Sequence, residues 1–163
     1  MASLTAEMAR ELLDYDPETG VFTWRAASRG VTKGARAGYK RNDCYVAIMV
    51  YKKSYYAQRL AWLMTNGSWP IEHIDHLNGV RDDNRIANLR ESSQLLNTQN
   101  QRTPGVANTS GFLGVSWNVK SKKFVANIRV KGKSRHIGYF ANPAEAHQAY
   151  LAVKRRLHPG CTI

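Results

Sequence analysis

Two cysteines are all that the 163 residues hold, Cys44 and Cys161, and they stand far apart with no CxxC pair. That scarcity excludes a disulfide framework and a cysteine-ligated zinc site, and leaves two ordinary thiols. No apolar run is long enough to span a membrane. The N-terminal stretch MASLTAEMARELL carries two early acids and lacks an apolar run ending at a small-residue cleavage site, so no signal peptide is read from it. The expectation is a soluble protein of the cytoplasm, not secreted. Acids are also scarce at one end. Residues 101–163 hold eleven Lys and Arg against one acid, Glu145, whereas residues 1–100 hold thirteen against eleven, and the whole chain carries +12. Positive charge gathered in one short segment is the electrostatic footprint of a phosphate-backbone ligand, so nucleic acid is the expected partner.

The first part of the chain has the patterning of a β-rich scaffold. A helix is predicted over residues 5–13, where Leu4, Met8 and Leu12 recur at helical spacing, and DPETG then turns the chain. VFTWR reads as a strand, and so does YVAIMVY, with Val46, Ile48 and Val50 on one face and Lys52-Lys53 as the turn back. Residues 57–65 read as a helix with Leu60, Leu63 and Met64 on one stripe, stopped by Asn66-Gly67. Trp62 and Trp69 are expected in the core; Arg25, Arg36, Lys40 and Arg41 are candidates for phosphate contact.

The chemistry concentrates in IDHLNGVRDDNRIANLRESSQLLNTQN, residues 74–100, where an Asp-His pair precedes a dense series of amides at Asn78, Asn84, Asn88, Asn97 and Asn100. EHIDH is a strand candidate, LNG a turn, and SSQLLNTQNQ a helix capped by Ser92 or Ser93. So small a unit buries no core of its own, and a metal or the flanking segments must stabilise it. Hydrolysis of a phosphodiester needs a hard cation on the phosphate and a base for water. An Asp carboxylate and an Asn amide oxygen suit Mg2+ or Mn2+, and a His with an ordinary pKa near 6.5 is a ready base once its tautomer is fixed. The amide of Asn88 can accept from the imidazole N–H. Neighbours on a strand point to opposite faces, so Asp75 and His76 share one site only through a twist or bulge. Asp82, Asp83 and Asn84 are read as turn-forming; Arg85 or Arg90 is a candidate to hold a phosphate. Asn100 rivals Asn97 as a ligand, because it lies three residues on along nearly the same helix face.

IDHLNG, NRIANLR and LLNTQN, in this order, resemble the HNH homing endonucleases of the ββα-metal type found in bacteriophages. The resemblance implies that Asp75 and Asn97 ligate one divalent metal, Mg2+ or Mn2+, with no structural zinc, that His76 is the general base, and that Asn88 orients it. Gln58 departs from the pattern, since related phage sequences tend to have His before RLAW.

RTPGVANTSG has linker composition, after which GVSWN, KFVANIRVK and SRHIGYF read as three strands and NPAEAHQAYLAVKRRLH as a helix. Asn142 is the expected N-cap, with Pro143 in the first turn and Glu145 completing a capping-box pattern. Ala146, Ala149, Tyr150, Val153 and Leu157 form the apolar stripe of that helix. In the middle strand Phe124, Ala126, Ile128 and Val130 are expected inward, and Val125, Asn127, Arg129 and Lys131 outward. Residues 110–158 thus resemble the AP2 DNA-binding domain, with GVSW, KFVANIR, HIGYF and AEAHQAY on its successive signatures. That domain lays the outer face of its sheet in the major groove. The resemblance places Ser116, Asn118, Asn127, Arg129, Ser134 and His136 toward the DNA, Lys120, Lys122, Lys123, Lys131 and Lys133 toward phosphates, and Trp117, Phe124, Tyr139, Phe140 and Tyr150 in the core.

The expected fold is α+β: an N-terminal β-rich scaffold (residues 1–70) leading into a ββα-metal HNH motif (71–101), a linker (102–109), and a small AP2-like domain (110–158) of a three-stranded antiparallel sheet packed on one helix. The expected function is that of a site-directed DNA endonuclease of the HNH homing type. It would bind double-stranded DNA as a monomer in the cytoplasm of a phage-infected bacterial host and nick one strand. An AP2-type DNA-binding or regulatory protein with an inactive HNH module is the alternative.

Overall fold

The computed structural model describes residues 4–27 and 30–163. The first three residues of the stretch read for a signal peptide lie outside them. The chain divides into two compact units, residues 1–93 and 94–163.

In the first unit Thr5 caps α1 (Ala6–Leu12), its hydroxyl accepting from Met8 N at 3.3 Å, as a side-chain oxygen at an N-cap does. Strands β1 (Leu13–Tyr15) and β2 (Phe22–Trp24) pair antiparallel. Strands β3 (Tyr39–Lys40), β4 (Val46–Val50) and β5 (Lys53–Tyr56) form a three-stranded antiparallel sheet in that order. The turn between β4 and β5 is Tyr51-Lys52, one residue earlier than the sequence reading, and both residues have positive φ, 49° and 62°. A two-residue turn of that hand matches the strand twist, so Val50 and Lys53 pair directly at its base.

Helix α2 (Ala57–Asn66) follows and ends at Gly67, whose φ of 77° is the left-handed cap the sequence anticipates. Leu60 and Leu63 are fully buried with Ile48, Val50, Leu13 and Phe22 in one core; burial of a side chain of this size contributes about 1.5–3 kcal/mol. Trp62 and Trp69 pack against that core while keeping partial exposure. Trp69 Nε1 donates to Leu4 O at 2.8 Å and so ties the chain ahead of β6 (His73–His76) to the N-terminus. Strand β6 pairs with β7 (Leu89–Ser92), and Ile74 and Leu89 complete the same core. The hairpin that carries the Asp-His pair therefore rests on the scaffold's core and needs none of its own. Ser92 belongs to β7.

The second unit begins with α3 (Gln94–Gln99) and continues with β8 (Val115–Asn118), β9 (Lys123–Val130) and β10 (Lys133–Phe140), an antiparallel sheet with β9 in the middle. Helix α4 (Pro143–Leu157) packs on it, capped by Asn142, whose Oδ1 accepts from Ala144 N at 2.8 Å. Ala126 and Ile128 lie buried beneath Ala146 and Tyr150. Three expectations about this sheet need correction. Val125 is buried although it shares the outer face, because Tyr139 and Ser116 flank it as cross-strand partners. Trp117, expected in the core, is about half exposed: it sits at the end of edge strand β8 with the Phe124 ring on one side only. Tyr139 is also half exposed, because the register shifts between His136 and Gly138. That bulge turns Tyr139 to the outer face beside His136, their ring centroids 4.7 Å apart. Unforeseen in the sequence is Lys154, which is 1% exposed on α4 and donates to Gln101 O at 2.5 Å.

Candidate active site

Strand β6 delivers Asp75 and His76, and both are buried, at 6% and 3% exposure. Pairing with β7 runs one-to-one from His73 to His76, with no bulge to bring the two side chains to the same side. Alternation along the strand therefore gives them different surroundings. Asp75 stands directly opposite Arg90, whose Nε and Nη2 donate to Asp75 Oδ2 at 3.1 and 2.9 Å. His76 turns toward the loop between the strands, with Nε2 3.4 Å from Asn84 Oδ1 and the Tyr45 ring 5.8 Å away. Burial pushes the His76 imidazole below its ordinary pKa, against the opposing pull of the Asn84 hydrogen bond and the Asp75 charge. It is thereby held neutral at pH 7, the form that can take a proton.

The loop is built largely from the amides and acids that made the sequence conspicuous. Asn78 N donates to Asn88 Oδ1 at 2.9 Å, and Asn88 Nδ2 donates to Asp83 O at 2.8 Å. Asn88 thus braces the loop from both ends. The amide that faces the imidazole is Asn84's, where the sequence pointed to Asn88. Asp83 accepts from Asn78 Nδ2 at 2.6 Å and from Arg85 Nε and Nη2 at 2.8 and 2.6 Å. Lys40 Nζ donates to Asp82 at 2.7 Å, and Tyr15 OH donates to Asn84 O at 2.7 Å. Burial, then the charges of Asp16 and Asp83, push the Tyr15 phenol up to about 12, so it remains a donor at neutral pH. Asp82, Asp83 and Asn84 are turn formers, as read, and Arg85 and Arg90 are each engaged by an acid.

The Arg85 hydrogen bonds, with those from Asn78, hold the Asp83 carboxyl down to about 2 from 3.8. A depressed carboxylate pKa contributes stability that is full above the unfolded value and lost as pH falls through the folded one. Stability should accordingly drop between pH about 4 and about 2, and Asp83→Asn should flatten that slope in melting curves taken across the range. An unchanged slope would show that other carboxylates set the acid limit.

Of the remaining predicted residues, Asn97 lies on α3 and Asn100 just beyond it, both in the second unit. Asn97 is half-buried, while Asn100 is buried with Oδ1 accepting from the Thr162 hydroxyl. Ser116, Arg129, Ser134 and His136 are exposed on the second unit's sheet, as are Lys120, Lys122, Lys123, Lys131 and Lys133 on its strands and turns; Asn118 and Asn127 are partly so. Gln58 is buried on α2, and its Oε1 has no hydrogen-bond partner among the described residues. No group of three or more His, Cys, Asp or Glu stands close enough to hold a metal among the described residues. The carboxylate of Asp75, buried and held by Arg90, is a hard donor of the kind that suits a divalent cation such as Mg2+ or Mn2+.

An HNH endonuclease family model matches residues 55–99, a span that takes in α2, the β6–β7 hairpin and α3. Over 90 residues, 53% of this chain and 74% of the relative, the sequence is 32% identical to Protein 3.8 of Escherichia phage T7. The chain belongs to the family of that phage protein and carries an HNH endonuclease domain. No solved structure matches it. The HNH domain suggests an endonuclease that hydrolyses DNA, a substrate in keeping with the +12 charge. Among the described residues no helix is long and apolar enough to cross a membrane.

Sequence reasoning missed three features of the candidate site: Asn84 at the imidazole, Tyr45 beside it, and Arg90 on Asp75. The Arg90 pairing follows from hairpin register once β6 and β7 are aligned. No local signal marks the other two, since each depends on the loop's path over the scaffold.

Proposed function

We propose that this protein is a metal-dependent, site-directed DNA endonuclease of the homing type, with His76 as the general base and the second unit's sheet as the module that selects double-stranded DNA. The observation that carries this reading is a buried His76, met by the Asn84 amide and following a buried carboxylate in the chain, within an HNH endonuclease domain. His76 takes a proton from water, whose oxygen attacks phosphorus as the bond to the 3′ oxygen breaks. The products are a 5′-phosphate and a 3′-hydroxyl, the latter protonated by solvent. Asp75 would hold Mg2+ or Mn2+, which when bound neutralises charge on the scissile phosphate and the leaving oxygen. Asn88 acts by bracing the loop. One site acting as a monomer cuts one strand, so nicking is the expected outcome.

The test is conversion of supercoiled plasmid and of phage genomic DNA to nicked and linear forms with Mn2+, with Mg2+ and with EDTA. Nicking that requires the metal supports the reading. Tight metal-independent binding with no cleavage of either DNA favours a DNA-binding protein with a silent HNH domain.

Recognition is tested separately. Arg129 is exposed on the outer face of β9, opposite Ser134. If it contacts a guanine in bidentate fashion, Arg129→Ala should weaken binding to the preferred sequence by about 1–3 kcal/mol and relax discrimination there. Equal affinity of parent and variant for every sequence in a titration series would remove Arg129 from the reading face.

A further inference from the structure

We propose that Asn84 is the positioning residue for His76, holding the imidazole by its Nε2–H so that the proton-accepting lone pair lies on Nδ1. The inference rests on His76 being the base and assigns the orienting job to Asn84, the first residue of NRIANLR, where the resemblance implies Asn88. Asn84 is 2% exposed. Its amide has a defined sense, because Nδ2 donates to Asp82 O at 3.3 Å and so directs Oδ1 at His76 Nε2, 3.4 Å away. An amide oxygen only accepts, so Nε2 must carry the hydrogen, and a neutral imidazole then has its lone pair on Nδ1.

The backbone that carries Asn84 is fixed from several sides. Tyr15 OH donates to its carbonyl, Ile86 N donates to Pro17 O at 3.2 Å, and Gly20 approaches so closely that a Cβ there would lie 2.6 Å from Asn84 C. Lys40 on Asp82 and Arg85 on Asp83 hold the residues just before it. A group needed only to fill space at the loop would not require a set amide orientation. One that selects a tautomer does.

The experiment reads the tautomer directly, from imidazole 15N shifts of the full-length protein at pH 8, for the parent and for Asn84→Leu. Plasmid nicking kinetics are run on both variants and on Asn84→Asp, which keeps an acceptor. The parent should show the Nε2–H tautomer. Asn84→Leu should shift the population toward Nδ1–H and lower kcat about 10–100-fold with KM unchanged, and Asn84→Asp should recover part of the loss. A parent in the Nδ1–H form overturns the proposal whether or not any variant folds. An unchanged tautomer in a folded Asn84→Leu overturns it equally. Should the expected tautomer shift occur in a protein that cuts no DNA tested, the positioning stands and the nuclease reading fails.

Discussion

Replacing His76 by Ala removes strand cleavage, lowering the rate by about 10²–10⁴-fold, the range a general base supplies, while DNA affinity stays at the parent level. The size of the effect follows from the surroundings. His76 is neutral because burial disfavours its charged form, and Asn84 gives it a preferred tautomer. A solvent water or hydroxide could replace it only without either advantage. Binding is spared because the predicted DNA contacts, from Ser116 to His136, lie in the second unit. The measurement pairs nicking rate with a binding titration in the presence of metal. Cleavage retained within tenfold would dismiss His76 as the base, and lost binding would show that the substitution disturbs more than chemistry. Folding of the variant is checked by melting, because the Ala leaves Asn84 Oδ1 without the imidazole and opens space beside Tyr45.

Gly20→Ala is the change expected to cost most stability. Gly20 has φ of 72°, where a side chain costs about 1–2 kcal/mol. Its Cβ would also lie 2.5 Å from Arg85 N and 2.6 Å from Asn84 C, backbone atoms that cannot swing aside. Overpacking of that kind adds about 1–3 kcal/mol. The sum lowers the melting temperature of the first unit by roughly 10 °C or more. Gly34→Ala is the control, since Gly34 shares the positive φ, 80°, and nothing lies within 4 Å of a Cβ there. If both variants melted alike, the close approach of Gly20 to the loop would carry no energetic weight. Nicking by Gly20→Ala below its own melting temperature should fall as well, because retreat of the loop draws Asn84 away from His76.

Local patterning made much of the fold readable. The stripe of Leu60, Leu63 and Met64 placed α2, the alternation of Val46, Ile48 and Val50 placed β4, and Asn142 with Pro143 placed the start of α4. Each is a contest decided within a few residues, by periodicity or by a cap. Where a longer-range contest decides, the reading slipped. Tyr139 looked like core until the bulge at His136 and Gly138 set its side of the sheet. Lys154, which no local pattern singles out, is buried because the carbonyl of Gln101 gives its ammonium a partner.

The candidate site divides the same way. The sequence by itself determined that Asp75 and His76 stand together on a strand, that a loop rich in amides and acids follows, and that positive charge gathers in the last third, because these depend on order and composition alone. Only the tertiary structure decided which amide meets the imidazole. The sequence pointed to Asn88 and read Asn84 as turn-forming, and the amide that meets the imidazole is Asn84's because Tyr15, Pro17 and Gly20, more than sixty residues earlier, fix the path of the loop over the scaffold. Hydrogen bonds of a few ångströms reach are set by where the backbone passes, and that is a property of the packed chain.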